Sequence, residues 1–283
     1  MALRTSTPIR IDGILNEPIW QRPGVRDFIQ REPQEGVQPS EETRLWVAYD
    51  DHALYIAVQM YDSAPDSIVG RLVRRDAISE SDYVYVGIDS DFDRRTAYYF
   101  GTDPTGSLDD GTIYDDNKLD ASWDGIWDVA SHVHERGWSV EFRIPFSQLR
   151  FDSKTNGVWG IESNRRIHRK NEEVYLVLHP RNDEVRVSRW RELHGLEDIA
   201  PPSRIEIIPY LAGTAKYLKR PPVAPFNQGR KDPFILGRDY LGNVGLDFKV
   251  GLTGNITLDG SVNPDFAQVE VDPAVVNLSQ YET

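Results

Sequence analysis

Residues 137–149 read Gly-Trp-Ser-Val-Glu-Phe-Arg-Ile-Pro-Phe-Ser-Gln-Leu, with Trp138, Val140, Phe142 and Ile144 alternating strictly with Ser139, Glu141 and Arg143. Successive side chains on a strand point to opposite faces, so this stretch is predicted to be a half-buried strand. Pro145 has no N–H to give to a ladder, which stops or bulges the strand there, and residues 146–149 read as a short capped turn packed back on the core. A segment of this kind needs partner strands. Similar runs recur at Thr43–Tyr49, Ala53–Tyr61, Tyr83–Asp89, Ala97–Thr102, 126–132 and 158–167, with turn signals such as Asp103-Pro104-Thr105-Gly106 between them. This cadence predicts an all-β chain built as an antiparallel β-sandwich. Helical pattern is confined to a turn or two at Pro18–Gln21 and at 64–69.

After Leu196 the texture changes. Pro201-Pro202 breaks the pattern, 205–211 gives one more strand, and 220–233 is Pro-rich and irregular, as linkers and long loops are. The predicted division is a sandwich over 8–203 and an extended, Pro-rich strand and hairpin tail over 204–283. In the tail, Leu246, Phe248, Val250 and Leu252 alternate with Asp247, Lys249 and Gly251. After a turn at Thr253-Gly254-Asn255, Ile256, Leu258 and Val262 alternate with Thr257, Asp259 and Ser261. Strands of about 9 residues suit a soluble hairpin and are also long enough to cross an outer membrane. Two or three strands cannot close a barrel, so a barrel would need further strands beyond Thr283.

With 39% hydrophobic residues, 7 Trp, 13 Tyr and 10 Phe, the chain fills a sizeable core and is not generally disordered. A formal net charge of -13 repels polyanions, which excludes nucleic acid as the main partner. The absence of cysteine removes thiol catalysis, disulfides and Cys-ligated zinc together. The Met-Ala-Leu-Arg start has no apolar run long enough for a secretion signal, and no segment reaches the ~18 apolar residues of a spanning helix. An exported form would have lost its signal.

Several stretches, in order, resemble the family 9 carbohydrate-binding modules. They are Ile11-Asp12-Gly13 with Glu17 and Trp20, residues 49–56, Ser81-Asp82-Tyr83-Val84, and Gly137-Trp138 through Ile144-Pro145-Phe146. A narrower resemblance, to bacterial outer-membrane proteins that carry such a module ahead of a β-barrel, rests on residues 93–98, Ser122-Trp123-Asp124, 143–151 and 262–278. The resemblance implies a family 9-like sandwich in an exported, periplasm-facing protein. It also implies that aromatic residues in the loop before the Tyr83 strand and in the segment holding Tyr175 line a sugar slot. That loop, 78–82, has no Trp here.

Sugar recognition needs flat apolar faces to stack on pyranose rings and planar hydrogen-bonding groups at their rims. Trp123 and Asp124, following the acidic loop 115–120, are the platform expected here, with Tyr175, Arg75 and Arg165 as further ligand contacts. For Trp123 the structural alternative is a plug at the end of the sandwich, and Trp20, Trp46, Trp138 and Trp159 are expected in the core. Arg71, Arg74, Arg75, Arg165, Arg166, Arg169 and Lys170 form basic clusters that either pair internally or present a docking surface.

Asp89, Asp91 and Asp93 could supply calcium oxygens, although Arg94 and Phe100 stand where an EF-hand needs Gly and Glu. Asp109, Asp110, Asp115 and Asp116 offer a looser site of the same kind. His132 and His134 share one strand face without a third metal ligand. No Gly-x-Ser-x-Gly, phosphate-binding loop or dinucleotide fingerprint is present. The expectation is therefore a non-catalytic binding module in the periplasm or on the periplasmic face of the outer membrane. Carbohydrate is the ligand, and no cofactor beyond a structural calcium is involved. The alternative is an accessory subunit of an envelope protein complex, associated with the membrane through its tail or a partner and holding no small ligand.

Overall fold

The structure is a computed structural model that describes residues 1–77, 80–151, 157–182, 186–199, 205–217, 238–251 and 257–263. The chain divides into two compact units, Met1–Pro202 and Ser203–Thr283. The first contains strands β1 (Leu3–Arg4), β2 (Ile29–Glu32), β3 (Thr43–Tyr49), β4 (Ala53–Tyr61), β5 (Tyr83–Asp89), β6 (Ala97–Thr102) and β7 (Leu108–Tyr114). They are followed by β8 (Lys118–Asp120), β9 (Asp128–His134), β10 (Gly137–Pro145), β11 (Trp159–Ile167), β12 (Glu172–Tyr175) and β13 (Arg191–Leu193). One sheet has the order β1-β3-β4-β10-β9; the other runs β2-β12-β11-β5-β6-β7-β8, with β13 also paired to β11. Apart from β1, which lies parallel to β3, neighbours in both sheets are antiparallel.

The core is the set of inward positions that alternation selects. Leu54, Ile56, Val58 and Met60 on β4 and Trp138, Val140, Phe142 and Ile144 on β10 meet Val84, Val86 and Ile88 on β5 and Phe100 on β6 in one cluster. Each is fully buried, and each side chain of this size contributes roughly 1.5–3 kcal/mol by leaving water. Trp20, Trp138 and Trp159 are buried, whereas Trp46 is half-buried with its Nε1 donating to the Arg22 carbonyl at 2.7 Å.

The β10 strand departs from expectation on its other face, because Ser139 and Glu141 are buried too. The N-terminal segment covers them. Ile9, Ile11, Leu15, Ile19 and Trp20 pack on Ala53, Tyr55 and Ala57 in a second apolar layer. Glu141 holds that layer down, accepting from the backbone N–H of Asp12 at 3.1 Å and of Gly13 at 2.9 Å and from Trp20 Nε1 at 2.9 Å. Gly13 has φ +78, and a Cβ there would lie 2.7 Å from the Ser131 carbonyl carbon, so no larger residue fits.

Burial pushes the Glu141 carboxyl up to about 7, against the pull of these donors. A carboxyl raised in the fold stabilises it fully below the unfolded value and loses that contribution as pH rises through the folded one. From the ordinary glutamate value of 4.5 to about 7, the loss is about 3 kcal/mol. The pH-dependence of stability in Glu141→Gln, measured by urea unfolding between those pH values, should be flatter than that of the wild type by about one proton; identical slopes would contradict this.

The second unit forms a three-stranded antiparallel sheet of β14 (Ile205–Tyr217), β15 (Arg238–Gly251) and β16 (Thr257–Val262), with β15 central. The register places Ile207, Pro209, Leu211 and Tyr217 on the same face as Tyr240, Val244, Leu246, Phe248, Leu258 and Val262. Leu211, Tyr217, Tyr240 and Val244 are each more than 60% exposed there. The opposite face carries Asn243, Asp247, Asp259 and Ser261 beside Ile208 and Tyr210. The Pro-rich stretch 220–233 and most of 262–278 lie outside the described residues.

Candidate functional site

Alternation on β5 puts Val84, Val86 and Ile88 into the core and turns Tyr83, Tyr85 and Gly87 to the outer face of the second sheet. The ladder then fixes what lies beside them. Tyr175 on β12 is opposite Asn164 on β11, Asn164 opposite Tyr85, Tyr85 opposite Gly101 on β6, and Gly101 opposite Asp109 on β7. A second row places Gly87 opposite Tyr99, and Tyr99 opposite Gly111.

Glycines seat the rings. A Cβ on Gly101 would fall 2.1 Å from the Tyr85 ring, and one on Gly111 would fall 2.5 Å from the Tyr99 hydroxyl. Both phenol rings therefore pack directly over bare backbone, as aromatic residues do when they cover strand glycines. Tyr83 meets Tyr85 edge-on at 5.1 Å, and Tyr85 meets Tyr99 at 6.1 Å. All four tyrosines are half-buried. To one side the face is closed by Trp190, which covers Gly87 and packs with Ala97, Ile113 and Val187.

Carboxylates anchor the hydroxyls. The Tyr85 O–H donates to Asp109 Oδ2 at 2.5 Å, while Glu173 accepts from Tyr83 at 3.4 Å and from Tyr175 at 3.3 Å. Guanidinium groups lie over two of the rings, Arg166 at 6.0 Å from the Tyr83 centroid and Arg31 at 5.8 Å from that of Tyr175. Burial, then the Glu173 charge, pushes the Tyr83 phenol up to about 12. Burial and Asp109 raise Tyr85 and Tyr99 further, and burial with Glu173 raises Tyr175. The phenols are thus neutral donors at any physiological pH, and burial together with Asp110 raises the Asp109 carboxyl as well. Beside Tyr175, the His179 ring packs edge-on at 5.5 Å and its Nε2 lies 3.0 Å from Glu162 Oε2.

Of the residues singled out from sequence, Tyr175 belongs to this face. Trp123, Asp124 and Arg75 come together elsewhere, near the β7 end of the sheet. Arg75 grips Asp110 through two bonds of 2.7 Å, meets Asp124 at 3.1 Å and donates to the Gly125 carbonyl at 2.6 Å. Trp123 is half-buried against Tyr98 and Phe100, with centroids 5.0 and 6.0 Å away, and packs on the core rather than standing on a free loop.

Arg165 is corrected outright. Its side chain is 0% exposed, because position 165 on β11 faces inward and Arg166 faces out. It reaches across the sandwich to the Tyr61 carbonyl at 2.7 Å and to the Glu42 carbonyl and Thr43 hydroxyl at 3.2 Å, and it pairs with Asp62 at 3.9 Å. It holds the two sheets together and cannot meet a ligand on the surface.

The calcium expectation at Asp89, Asp91 and Asp93 also fails on geometry. Asp89 is fully buried and accepts from the N–H of Asp93 and Arg94, while Asp93 caps Arg95 and Thr96. These carboxylates shape a turn instead of converging. Among the described residues the group that does converge is Asp76, Asp110 and Asp124, with oxygens within 4.8 Å of one another, and the Arg75 guanidinium already pairs with all three. His134 of the histidine pair is engaged by the Arg136 N–H and by Gln59.

Sequence reasoning missed Tyr83, Tyr85, Tyr99 and Glu173, and offered Asp109 only as part of a looser calcium site. The available signal was Tyr-Val-Tyr-Val-Gly at 83–87, a strand alternating aromatic with β-branched residues and ending in glycine.

A carbohydrate binding module family 9 structure from Caldicellulosiruptor kristjanssonii, in complex with cellotriose, superimposes with a TM-score of 0.50 at 17% identity, covering 70% of this chain and 95% of that one. The body has a family 9-like fold. The same organism's module in complex with glucose gives a TM-score of 0.49 at 18% identity, covering 71% of this chain and 99% of that one. Residues 201–283 match a family described as a domain of unknown function, DUF5916. No curated protein matches the chain.

Proposed function

We propose that the N-terminal unit is a non-catalytic carbohydrate-binding module whose ligand lies on the tyrosine face, and that it works at a bacterial cell envelope. The observation that carries this reading is the pair of Tyr85 and Tyr99 rings seated over Gly101 and Gly111 with Asp109 beside them. Ring faces stack on the C–H surface of a pyranose, and carboxylates accept from its hydroxyls. The family 9-like fold agrees with it. The envelope setting draws on the second unit, whose β14–β16 sheet is richer in apolar residues on one face, whereas the other mixes Asn243, Asp247, Asp259 and Ser261 with Ile208, Tyr210 and Leu241, and Tyr217 and Tyr240 pair at one end. A strand that faces lipid on one side and water on the other has this pattern.

A glycan array followed by calorimetric titration tests the binding claim. Tyr85→Ala should weaken the best sugar ligand by about tenfold or more, the equivalent of roughly 1.4 kcal/mol, whereas Trp123→Ala should leave its affinity within about twofold. Silence across neutral and anionic sugars would overturn the reading in favour of an accessory subunit, which the exposed apolar sheet of the second unit would then serve. Purification from native membranes tests the envelope setting: recovery only in the soluble fraction would contradict it.

A further inference from the structure

Resting on the carbohydrate reading, we infer that the tyrosine face takes a largely neutral glycan that carries an isolated uronate, and that Arg31 and Arg166 receive the carboxylate.

Both cations are held on this face. Arg166 stands on β11 opposite Tyr83 on β5 and Glu173 on β12, with its guanidinium 6.0 Å from the Tyr83 centroid. Its ion pair among the described residues is with Glu80 at 3.7 Å, and the Glu80 side chain is 66% exposed. A pair of that kind contributes little. The Arg166 Nε is buried without a hydrogen-bond partner among the described residues. Arg31 is set over the Tyr175 ring at 5.8 Å by the bond from its Nε to the His179 carbonyl at 2.9 Å, and no carboxylate of the described residues pairs with it.

Glu173 does not neutralise them. Although the ladder places it opposite Arg166, its two oxygens accept from the Tyr83 and Tyr175 hydroxyls. Arg186 adds a third positive charge within reach of the Tyr175 phenol. A guanidinium fork meets a carboxylate through two parallel N–H···O bonds, whereas a single hydroxyl satisfies only one of them.

The charges are sorted along the sheet. Asp109 lies on β7, three strands from β11, about 14 Å away at the usual strand spacing and beyond the roughly 8 Å over which exposed charges act at physiological salt. Asp76, Asp110 and Asp124 at that end pair with Arg75. Acceptors there suit sugar hydroxyls, and the guanidinium end suits an acid, so the ligand has a fixed direction along the face. The net charge of -13 repels a polymer charged at every unit, which restricts the fit to an isolated carboxylate on a neutral chain.

The test is calorimetric titration of the full chain with xylotetraose, with the same tetraose bearing one glucuronate unit, and with the methyl ester of that glucuronate. The acidic glycan should bind about tenfold or more tighter than the neutral one, and the ester should lose that preference. Arg31→Gln and Arg166→Gln should each bring the acidic-to-neutral affinity ratio down towards one. Tetragalacturonate, charged at every unit, should bind more weakly than the singly acidic glycan.

Equal or tighter binding of the neutral tetraose, an ester as tight as the free acid, an unchanged ratio in both variants, or tighter binding of tetragalacturonate would overturn this inference and leave the carbohydrate reading standing. Absence of binding by every sugar tested would overturn both.

Discussion

Arg165→Met is expected to lower the unfolding free energy by about 3–5 kcal/mol, the usual consequence of removing one partner from a buried charge network. The Arg165 side chain spans the sandwich from β11 to the ends of β3 and β4 and donates to two backbone carbonyls that its loss would leave buried without that donor. It also offsets the charge of Asp62, Asp82, Glu41 and Glu172 nearby. Burial pushes the guanidinium down to about 10, so it remains charged at neutral pH. The rest of the knot stays in place: Arg169 holds Asp62 at 2.6 Å and Glu41 at 3.1 Å, and Lys170 holds Glu41 at 2.5 Å. Burial raises the Glu41 carboxyl, but Lys170 and Ser63 outweigh it and hold the group at about 2. That part of the stability is present above the unfolded value of 4.5 and is lost as pH falls through about 2. Arg166→Met, one residue along and on the opposite face, is the control, with an expected cost within about 1 kcal/mol. Urea unfolding of both variants checks the pair, and equal losses would contradict the placement of Arg165.

Gly101→Val should abolish most sugar binding while leaving the fold intact. Its first side-chain atom would fall 2.1 Å from the Tyr85 ring, a distance at which the ring must leave the sheet. Displacing Tyr85 breaks its bond to Asp109 and its contacts with Tyr83 and Tyr99, so the platform loses its centre. A drop in affinity of about tenfold or more is expected, at a cost in stability of about 1–3 kcal/mol for the overpacking. Titration with the best oligosaccharide, beside a thermal melt, measures both. Unchanged affinity in a folded Gly101→Val protein would remove Tyr85 from the site.

Alternation carried the fold because it is a local signal. The bounds of β3, β4, β5 and β6 were legible in the sequence, and β9 lies two residues later than its pattern suggested. The strand β7 was not legible. Leu-Asp-Asp-Gly-Thr-Ile-Tyr has carboxylates on both faces, because Asp109 faces the tyrosines and Asp110 takes Arg75. Local alternation also gave no notice that the N-terminal segment buries the polar side of β10, since the donors to Glu141 come from 121 to 129 residues away.

The site was harder to read than the fold. A cluster such as Arg165-Arg166 looks uniformly basic, yet strand parity sends one guanidinium into the core and the other to the surface. Sequence pattern points to a tryptophan loop for the aromatic platform, whereas the sheet assembles it from tyrosines on three strands, and the glycines beneath them acquire meaning only once the register is known.

The most direct measurement is the two-dimensional NMR spectrum of the aromatic ring protons, recorded while a neutral hexasaccharide is titrated onto the protein. If the tyrosine face is the binding surface, the rings of Tyr83, Tyr85, Tyr99 and Tyr175 shift together with one saturation curve, and Trp123 stays still. Saturable shifts centred on Trp123, with those four rings unmoved, would contradict it.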